Sequence, residues 1–213
     1  MEVSSEALLH DRINGFSFDV IGFTNITGDH LNVHKTFDEY VNCKKRLLNF
    51  VKPDGFVVLN GDDDILKDIS CNHKITFGFE ECNDYVIRSV HYLKRKTKII
   101  LSYGDQEWEF NSPLMGKYNV YNVVMAFIIA RLFRIDDSLL LKRIWKLHPI
   151  KGRGEFLNFG QKYDIVLDYA HTINGIRSIL DSFQNYENII VVTGCAGGRE
   201  ISKRNVIGKM VME

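Results

Sequence analysis

The chain has 213 residues, with 27 basic and 27 acidic side chains and no formal net charge, so it suits one large domain or two small ones and gives no reason to expect nucleic acid or an anionic membrane as partner. Hydrophobic residues at 45% are enough for a normal core, and the four cysteines (Cys43, Cys71, Cys82, Cys195) form no C-x-x-C pair, which argues against a disulfide frame or a zinc site. Without a signal-peptide pattern or a long apolar run, a soluble cytoplasmic chain with no membrane insertion is expected.

Glu2, taken alone, reads as a solvated terminal residue. Phe18 to Phe23 is apolar and β-prone and predicts a buried strand. Thr24, Asn25, Thr27, Gly28 and Asp29 end it as a polar loop. In open α/β sheets, ligands bind where strands end in such loops, so His30 is placed to reach a ligand or a metal. From Phe37 onward, Phe37, Tyr40, Val41, Leu47, Leu48 and Val51 fit one helical face. Lys44 falls on that face, whereas Lys45 and Arg46 fall on the polar one. A lysine on a buried stripe either snorkels or has its charge handled. Desolvation lowers its pKa and leaves a nucleophilic amine. Such an amine can take up carbon dioxide as a carbamate, an oxygen-donor metal ligand. On the helix alone, the snorkelling reading is preferred.

Gly55 to Asn60 predicts a strand, and Gly61-Asp62-Asp63-Asp64 a turn into a short helix. That acidic triplet suits a helix start better than a cation site. Lys74 to Phe79 predicts another strand. Tyr85 to Leu101 and Gln106 to Phe110 alternate as antiparallel strands do, with the basic stretch Leu93 to Lys98 as a solvated hairpin end. The helix from Tyr118 to Phe133 is apolar almost all round and should be buried. Asn119 and Asn122 share one face near its start. Asn119 reads equally as a helix cap or as an amide that can pair with the edge of an adenine ring. A helix from Asp137 to about Leu147 ends at Pro149. Arg153 then stands in a glycine-rich loop, where an arginine is usually just solvated. Ile165 to Leu167 is a buried strand with Asp168 at its carboxyl end, where a carboxylate can accept from ribose hydroxyls. His171 opens the helix that continues through Ile176, Ile179, Leu180 and Phe183. Ile189 to Val192 predicts one more strand. It runs into Thr193-Gly194-Cys195-Ala196-Gly197-Gly198-Arg199, whose glycines let backbone amides converge on an anion. No Gly-Lys-Ser/Thr follows, and the G-x-G-x-x-G spacing is broken, so neither a Walker loop nor a dinucleotide fingerprint is present.

Several of these stretches, in this order, resemble the Mur ligase family. They are Glu2-Val3-Ser4-Ser5-Glu6-Ala7-Leu8, Thr24-Asn25-Ile26-Thr27-Gly28-Asp29-His30-Leu31 with Tyr40 and Lys44 after it, and Gly116-Lys117-Tyr118-Asn119-Val120-Tyr121-Asn122. Gly152-Arg153-Gly154-Glu155, Asp168-Tyr169-Ala170-His171-Thr172 and the loop at Gly194 to Arg199 complete the set. Within the family the likeness is to the muramoyl-tripeptide synthetases, with departures at Glu6, Gly198 and Asn205. The resemblance implies an α/β chain. Residues 1–148 would be the remainder of a Mur ligase central, P-loop-type domain lacking its N-terminal P-loop part. Residues 149–213 would be the start of a Rossmann-like C-terminal domain.

It further implies that His30, Glu2 and Lys44, the last as a carbamate, hold a metal, with Lys44 and His30 serving catalysis. Asn119, Asn122, Arg153 and Asp168 would bind nucleotide; Ser4, Arg12, His171 and Arg199 would bind substrate. The implied cofactors are ATP and Mg2+. The implied reaction joins an amino acid to UDP-N-acetylmuramoyl-dipeptide through an acyl phosphate, for peptidoglycan precursor synthesis, in an enzyme monomeric at full length. The family's Gly-x-x-Gly-Lys-Thr loop is not among these residues, so the expectation is an internal fragment, inactive alone. The alternative expectation is a non-catalytic nucleotide- or muropeptide-binding remnant that acts with a partner.

Overall fold

The apolar run near the start of the chain does form a strand: β1, Phe18–Phe23, pairs in parallel with β2, Val51–Asn60. β2 pairs in parallel with β3, Lys74–Gly78, and β3 with β4, Tyr85–Leu93. β5, Lys96–Tyr103, and β6, Gln106–Ser112, extend the same sheet in the order β1-β2-β3-β4-β5-β6. β5 reaches β6 through only Gly104 and Asp105, a link that permits antiparallel pairing alone, so the sheet is mixed. The computed structural model describes residues 1–27, 33–93, 95–194 and 202–212.

Contacts divide the chain into two units that interleave in sequence. One comprises residues 1–90, 99–109 and 121–140, and the other residues 91–98, 110–120 and 141–213.

In the first unit, α1 (Ser5–Leu9) and α2 (Phe37–Lys45) are both capped from the side. The Ser4 hydroxyl accepts from the Ala7 N–H at 3.1 Å. The Thr36 hydroxyl accepts from Glu39 N–H at 3.1 Å, and the Glu39 carboxylate reaches back to Lys35 N–H at 3.0 Å, a variant of the capping box. Tyr40 and Val41 of α2 bury against Ile21 and Phe23 of β1 and Val57 and Leu59 of β2. The other face of the sheet meets α3, Lys117–Leu132. A Cβ at Gly22 would stand 2.7 Å from the Met125 sulfur, so a larger residue here would require that side chain to move. Tyr121 packs edge-on to Phe77 from the same side. Val57, Val58 and Leu59 are wholly buried, the continuous apolar run of a strand covered on both faces.

Three local expectations differ from the structure. β2 begins at Val51 and bulges against β1 between Phe18 and Val20, because Gly55 lies against the Phe18 and Asp19 carbonyls. Residues 61–68 are turns and a bend rather than a helix, since the carboxylates of Asp62 and Asp63 hold loop backbone, as detailed below. Within the expected solvated hairpin end, Thr97 is fully buried, and its hydroxyl donates to the Leu114 carbonyl at 2.9 Å.

In the second unit, β7 (Glu155–Leu157) and β8 (Ile165–Leu167) pair antiparallel. α5 (Ile173–Asp181) is capped by Thr172, whose hydroxyl accepts from Gly175 N–H at 3.0 Å. It buries Ile176, and beyond its end Phe183 packs edge-on to Phe156. The Asp164 carboxylate accepts from Arg95 and, at 2.8 Å, from the Tyr186 hydroxyl. α6 is Ser202–Met212. The strand expected over Ile189 to Val192 does not form. Ile190 is 92% and Val192 94% exposed, and no ladder partner reaches them among the described residues. An apolar run states a demand for burial, but a strand exists only where another backbone pairs with it.

Candidate active site

The sequence-predicted residues fall into one group in each unit. In the first, a cavity of about 390 Å³ runs along β1 and is lined by Glu2, Phe18, Gly22, Thr24, Lys44 and Met125. Lys44 sits on the buried face of α2, half-buried, its ammonium 5.8 Å from the centre of the Tyr40 ring. Burial holds its pKa below the ordinary lysine range, and the Glu2 carboxylate opposes that shift. Glu2 and Lys44 therefore share one cavity and feel one another's charge. Next to Lys44, the Cys43 thiol is pushed up by burial and donates to the Ser5 carbonyl at 3.2 Å, tying α2 to α1.

The loop leaving β1 is fixed from β2, which sequence reading did not foresee. The Asn60 amide donates to the Thr24 carbonyl at 2.9 Å, and Ile26 N–H donates to the Asp63 carboxylate at 2.9 Å. The other Asp63 oxygen accepts from Ile65 and Leu66 N–H. Asp62 accepts from Phe79 N–H at 2.7 Å, Glu80 N–H at 3.1 Å, the Asn83 amide at 3.2 Å and the Tyr121 hydroxyl at 2.9 Å. Asp62 and Asp63 are thus occupied with loop backbone and neighbours, and not with the helix start expected of the triplet. The usable signal for the missed anchors was Asn60-Gly61-Asp62-Asp63 itself, polar side chains just where a parallel strand stops.

His30 and Arg199 lie outside the described residues, as does the Cys195 to Arg199 part of the glycine-rich loop. Among the described residues, no group of three or more His, Cys, Asp or Glu side chains could hold a metal ion. Ser4 and Arg12 are both exposed, and the Ser4 hydroxyl serves as the cap of α1.

The second group gathers around the β8 terminus. Both oxygens of Asp168 accept backbone N–H bonds at 2.7 Å, one from Gly154 and one from Ala170. The carboxylate thereby pins the 152–154 turn to the end of β8. The Arg153 guanidinium lies 4.7 Å from the centre of the Tyr169 ring. His171 is exposed, with Nδ1 3.0 Å from the Tyr169 carbonyl and its ring edge-on to Tyr169. Asn119, the third residue of α3, donates its amide to the Met115 carbonyl at 2.8 Å, a bond to the chain before the helix and not the acceptor role of a helix cap. Asn122 lies one turn along α3, exposed, in the other unit. The structure therefore brings Arg153, Asp168 and His171 to neighbouring positions on one strand end. A second cavity of about 230 Å³ adjoins them, lined by Asp168, Ala170, Ile176, Phe183 and Thr193.

Tyr118 is the neighbour that sequence reading passed over. Burial first, and the Asp168 carboxylate second, push its pKa up to about 12, while Arg153 opposes. Its phenolic oxygen is buried beside the Asp168 carboxylate and the Asn119 amide. An aromatic with a polar tip inside Gly116-Lys117-Tyr118-Asn119 was the signal available.

Comparison with known proteins bears on this pattern. The Mur ligase middle domain matches residues 1–130, and the Mur ligase, glutamate ligase domain matches residues 152–213. The chain belongs to the Mur ligase family. It is 36% identical to the UDP-N-acetylmuramoyl-L-alanyl-D-glutamate–2,6-diaminopimelate ligase of Chlamydia pneumoniae, across 99% of this chain and 45% of that protein. A solved structure of a ligase of the same name superposes with a TM-score of 0.75 at 26% identity, covering 99% of this chain and 45% of the other. The MurF ligase of Thermotoga maritima, solved in complex with ADP, superposes with a TM-score of 0.71 at 16% identity, over 87% of this chain and 43% of that one, a likeness of fold. The chain thus spans a little under half the length of these Mur ligases. Among its described residues, no helix is long and apolar enough to cross a membrane.

Proposed function

We propose that this chain carries the central and C-terminal parts of an ATP-dependent amide ligase of peptidoglycan precursor synthesis, which adds an amino acid to UDP-N-acetylmuramoyl-dipeptide. On this reading the central part is residues 1–148 and the C-terminal part residues 149–213, in a monomeric cytoplasmic enzyme. The observation that carries the proposal is the desolvated Lys44 sharing a cavity with Glu2 at the edge of β1. A lysine held below its usual pKa has more of its neutral, carbon dioxide-reactive form. Its carbamate would turn a cationic position into an anionic oxygen donor beside a carboxylate, a donor set that suits Mg2+. Glu2, His30 and carbamylated Lys44 are accordingly assigned to the metal. Bound Mg2+ would neutralise charge gathering on phosphate oxygens.

The second group is assigned to ATP. Arg153 offers a cation beside the aromatic face of Tyr169, Asp168 an acceptor for ribose hydroxyls, and Asn119 and Asn122 amides for the base. The buried phenol of Tyr118 beside Arg153 and Asp168 supports a site for a polar ligand. Bound ATP would supply the phosphoryl group that activates the substrate carboxylate. Ser4, Arg12, His171 and Arg199 are assigned to the muropeptide and the incoming amino acid.

The test is carbon-13 NMR of the 213-residue chain in labelled bicarbonate. A carbamate resonance should appear, vanish in Lys44→Ala and persist in Lys45→Ala. Its absence from the wild-type chain, or its survival in Lys44→Ala, would make Lys44 a snorkelling lysine. In an enzyme supplied with its P-loop, Lys44→Ala should abolish turnover, short carboxylic acids should partly restore it, and Lys45→Ala should change little.

A further inference from the structure

The zero formal charge of the chain conceals a local excess. Between Asp137 and Glu155 no acidic residue occurs, whereas Lys142, Arg143, Lys146, Lys151 and Arg153 do. Arg153 is assigned to nucleotide above; the other four are exposed. Among the described residues, no carboxylate pairs with any of those four. Lys142 and Arg143 stand in the last turn of α4, Asp137–Ile144. The helical turn holds through Lys146, since Trp145 N–H donates to the Leu141 carbonyl at 3.3 Å and Lys146 N–H to that of Arg143 at 3.0 Å. That spacing puts Lys142, Arg143 and Lys146 on one face, opposite the buried Ile144. Beside this face Trp145 is 53% exposed, and past the helix Ile150 is 77% exposed. A further cation arrives from a distant part of the chain: the ammonium of Lys96, the first residue of β5, lies 6.0 Å from the centre of the Trp145 ring. Lys96 and residues 141–151 all lie in the second unit.

The helix dipole favours basic side chains in a last turn, which accounts for Lys142 and Arg143. It does not account for Lys146, Lys151 and Lys96, which lie beyond the helix or on another element, nor for a tryptophan and an isoleucine left in water among them. A face made only for solubility mixes both signs of charge and exposes few large apolar groups. Lysines interleaved with exposed tryptophan and isoleucine suit a lipid headgroup layer, where ammoniums meet anionic headgroups and the indole seats at the boundary with the acyl chains. Nucleic acid is the poorer match, because the chain as a whole carries no basic excess.

We infer that the face carrying Lys96, Lys142, Arg143, Trp145, Lys146 and Lys151 docks on an anionic membrane surface. The lysines and the arginine supply the attraction, and Trp145 with Ile150 enters the headgroup layer. The contact is peripheral and needs no helix that crosses the bilayer. It goes beyond the ligase reading, and its failure would leave that reading standing.

The experiment is flotation of the 213-residue chain with vesicles of equimolar phosphatidylglycerol and phosphatidylcholine, and with vesicles of phosphatidylcholine alone. The chain should float with the anionic vesicles only, and raised ionic strength should release it. Each cation near the surface contributes about fivefold to binding, so Lys142→Gln combined with Lys146→Gln should bind about 25-fold more weakly. Both positions are exposed and glutamine is a comparable helix former, so the fold is kept. Tryptophan emission should move to shorter wavelength on addition of anionic vesicles, and that shift should be lost in Trp145→Phe. No flotation at low ionic strength, equal flotation of the double glutamine variant, or a shift that survives in Trp145→Phe would overturn the inference. Tighter binding of a duplex DNA oligonucleotide than of the anionic vesicles would also overturn it, and would give the face to nucleic acid.

Discussion

Replacing Asp137 by alanine should destabilise the first unit by about 3 kcal/mol, a figure that follows from its partners. Asp137 opens α4, Asp137–Ile144, and its carboxylate accepts from the Trp108 indole N–H at 2.8 Å and from Arg131 Nε at 2.9 Å. Trp108 is 8% exposed, so alanine leaves a buried donor unpaired, a loss of about 1.5 kcal/mol for a charged acceptor. The Arg131–Asp137 pair is partly solvated, with side chains 20% and 36% exposed, and contributes at most about 1 kcal/mol. The carboxylate in the first turn of α4 adds about 0.5 kcal/mol through the helix dipole. For a chain of this size ~3 kcal/mol corresponds to a fall of about 6–12 °C in Tm. Asp137→Asn keeps an acceptor for Trp108 and should lose about half as much. The assay is urea unfolding followed by Trp108 fluorescence in a Trp145→Phe background, with exposed Glu107→Ala as a control expected within about 0.5 kcal/mol of wild type. Equal losses for the alanine and asparagine variants would mean that charge alone matters and would refute the indole bond. A loss below about 0.5 kcal/mol for both would refute the network altogether. The network matters for the site because Arg131 also donates to the Tyr85 hydroxyl at 2.8 Å and to Gln106 at 3.0 Å, which clamps the carboxyl half of α3 to β4 and β6.

Lys44 should make the protein more stable as pH rises. Its folded pKa is lowered, so between that value and the unfolded 10.5 the unfolded chain binds more protons, and the penalty of the buried ammonium is relieved with increasing pH. The stability of wild type minus that of Lys44→Met, from urea unfolding at pH values from about 8 to 10, should therefore climb. The Cys43 thiol, raised by burial, works in the opposite direction but is common to both proteins; a flat or falling difference would put Lys44 in solvent. Asp168→Asn should speed hydrogen exchange at the Gly154 and Ala170 amides, which lose a charged acceptor, and leave that of Gly175, capped by Thr172, unchanged. Equal protection in both proteins would mean that the 152–154 turn is held by something other than Asp168.

Much of this molecule was legible in local pattern. β1 at Phe18–Phe23, α2 with Lys44 on its buried face and the position of β8 at Ile165–Leu167 follow from periodicity and residue chemistry within a few positions of one another, although β8 is not the buried strand its apolar residues suggest: Leu167 is 49% exposed. The family motifs are equally local, because they sit on single loops at strand ends. Partners distant in the chain were not legible. Nothing near Thr24 and Ile26 says that Asn60 and Asp63, some 36 and 37 residues away, hold that loop. The apolar run Ile189 to Val192 looks like a strand because its composition demands burial, but a strand needs a hydrogen-bonded neighbour, and among the described residues none pairs with this run. Asn119 could be read as a cap or a ligand from its amide alone, and only packing gave its nitrogen the Met115 carbonyl. The environment of Tyr118 is the clearest case. Its sequence neighbours are a lysine and an asparagine, whereas the groups that set its chemistry, Asp168 and Arg153, arrive from β8 and the turn before β7. Backbone preference and amphipathic spacing are properties of a few consecutive residues. Desolvation and charge at a site belong to whichever distant residues the fold brings there, and these only the tertiary structure decided.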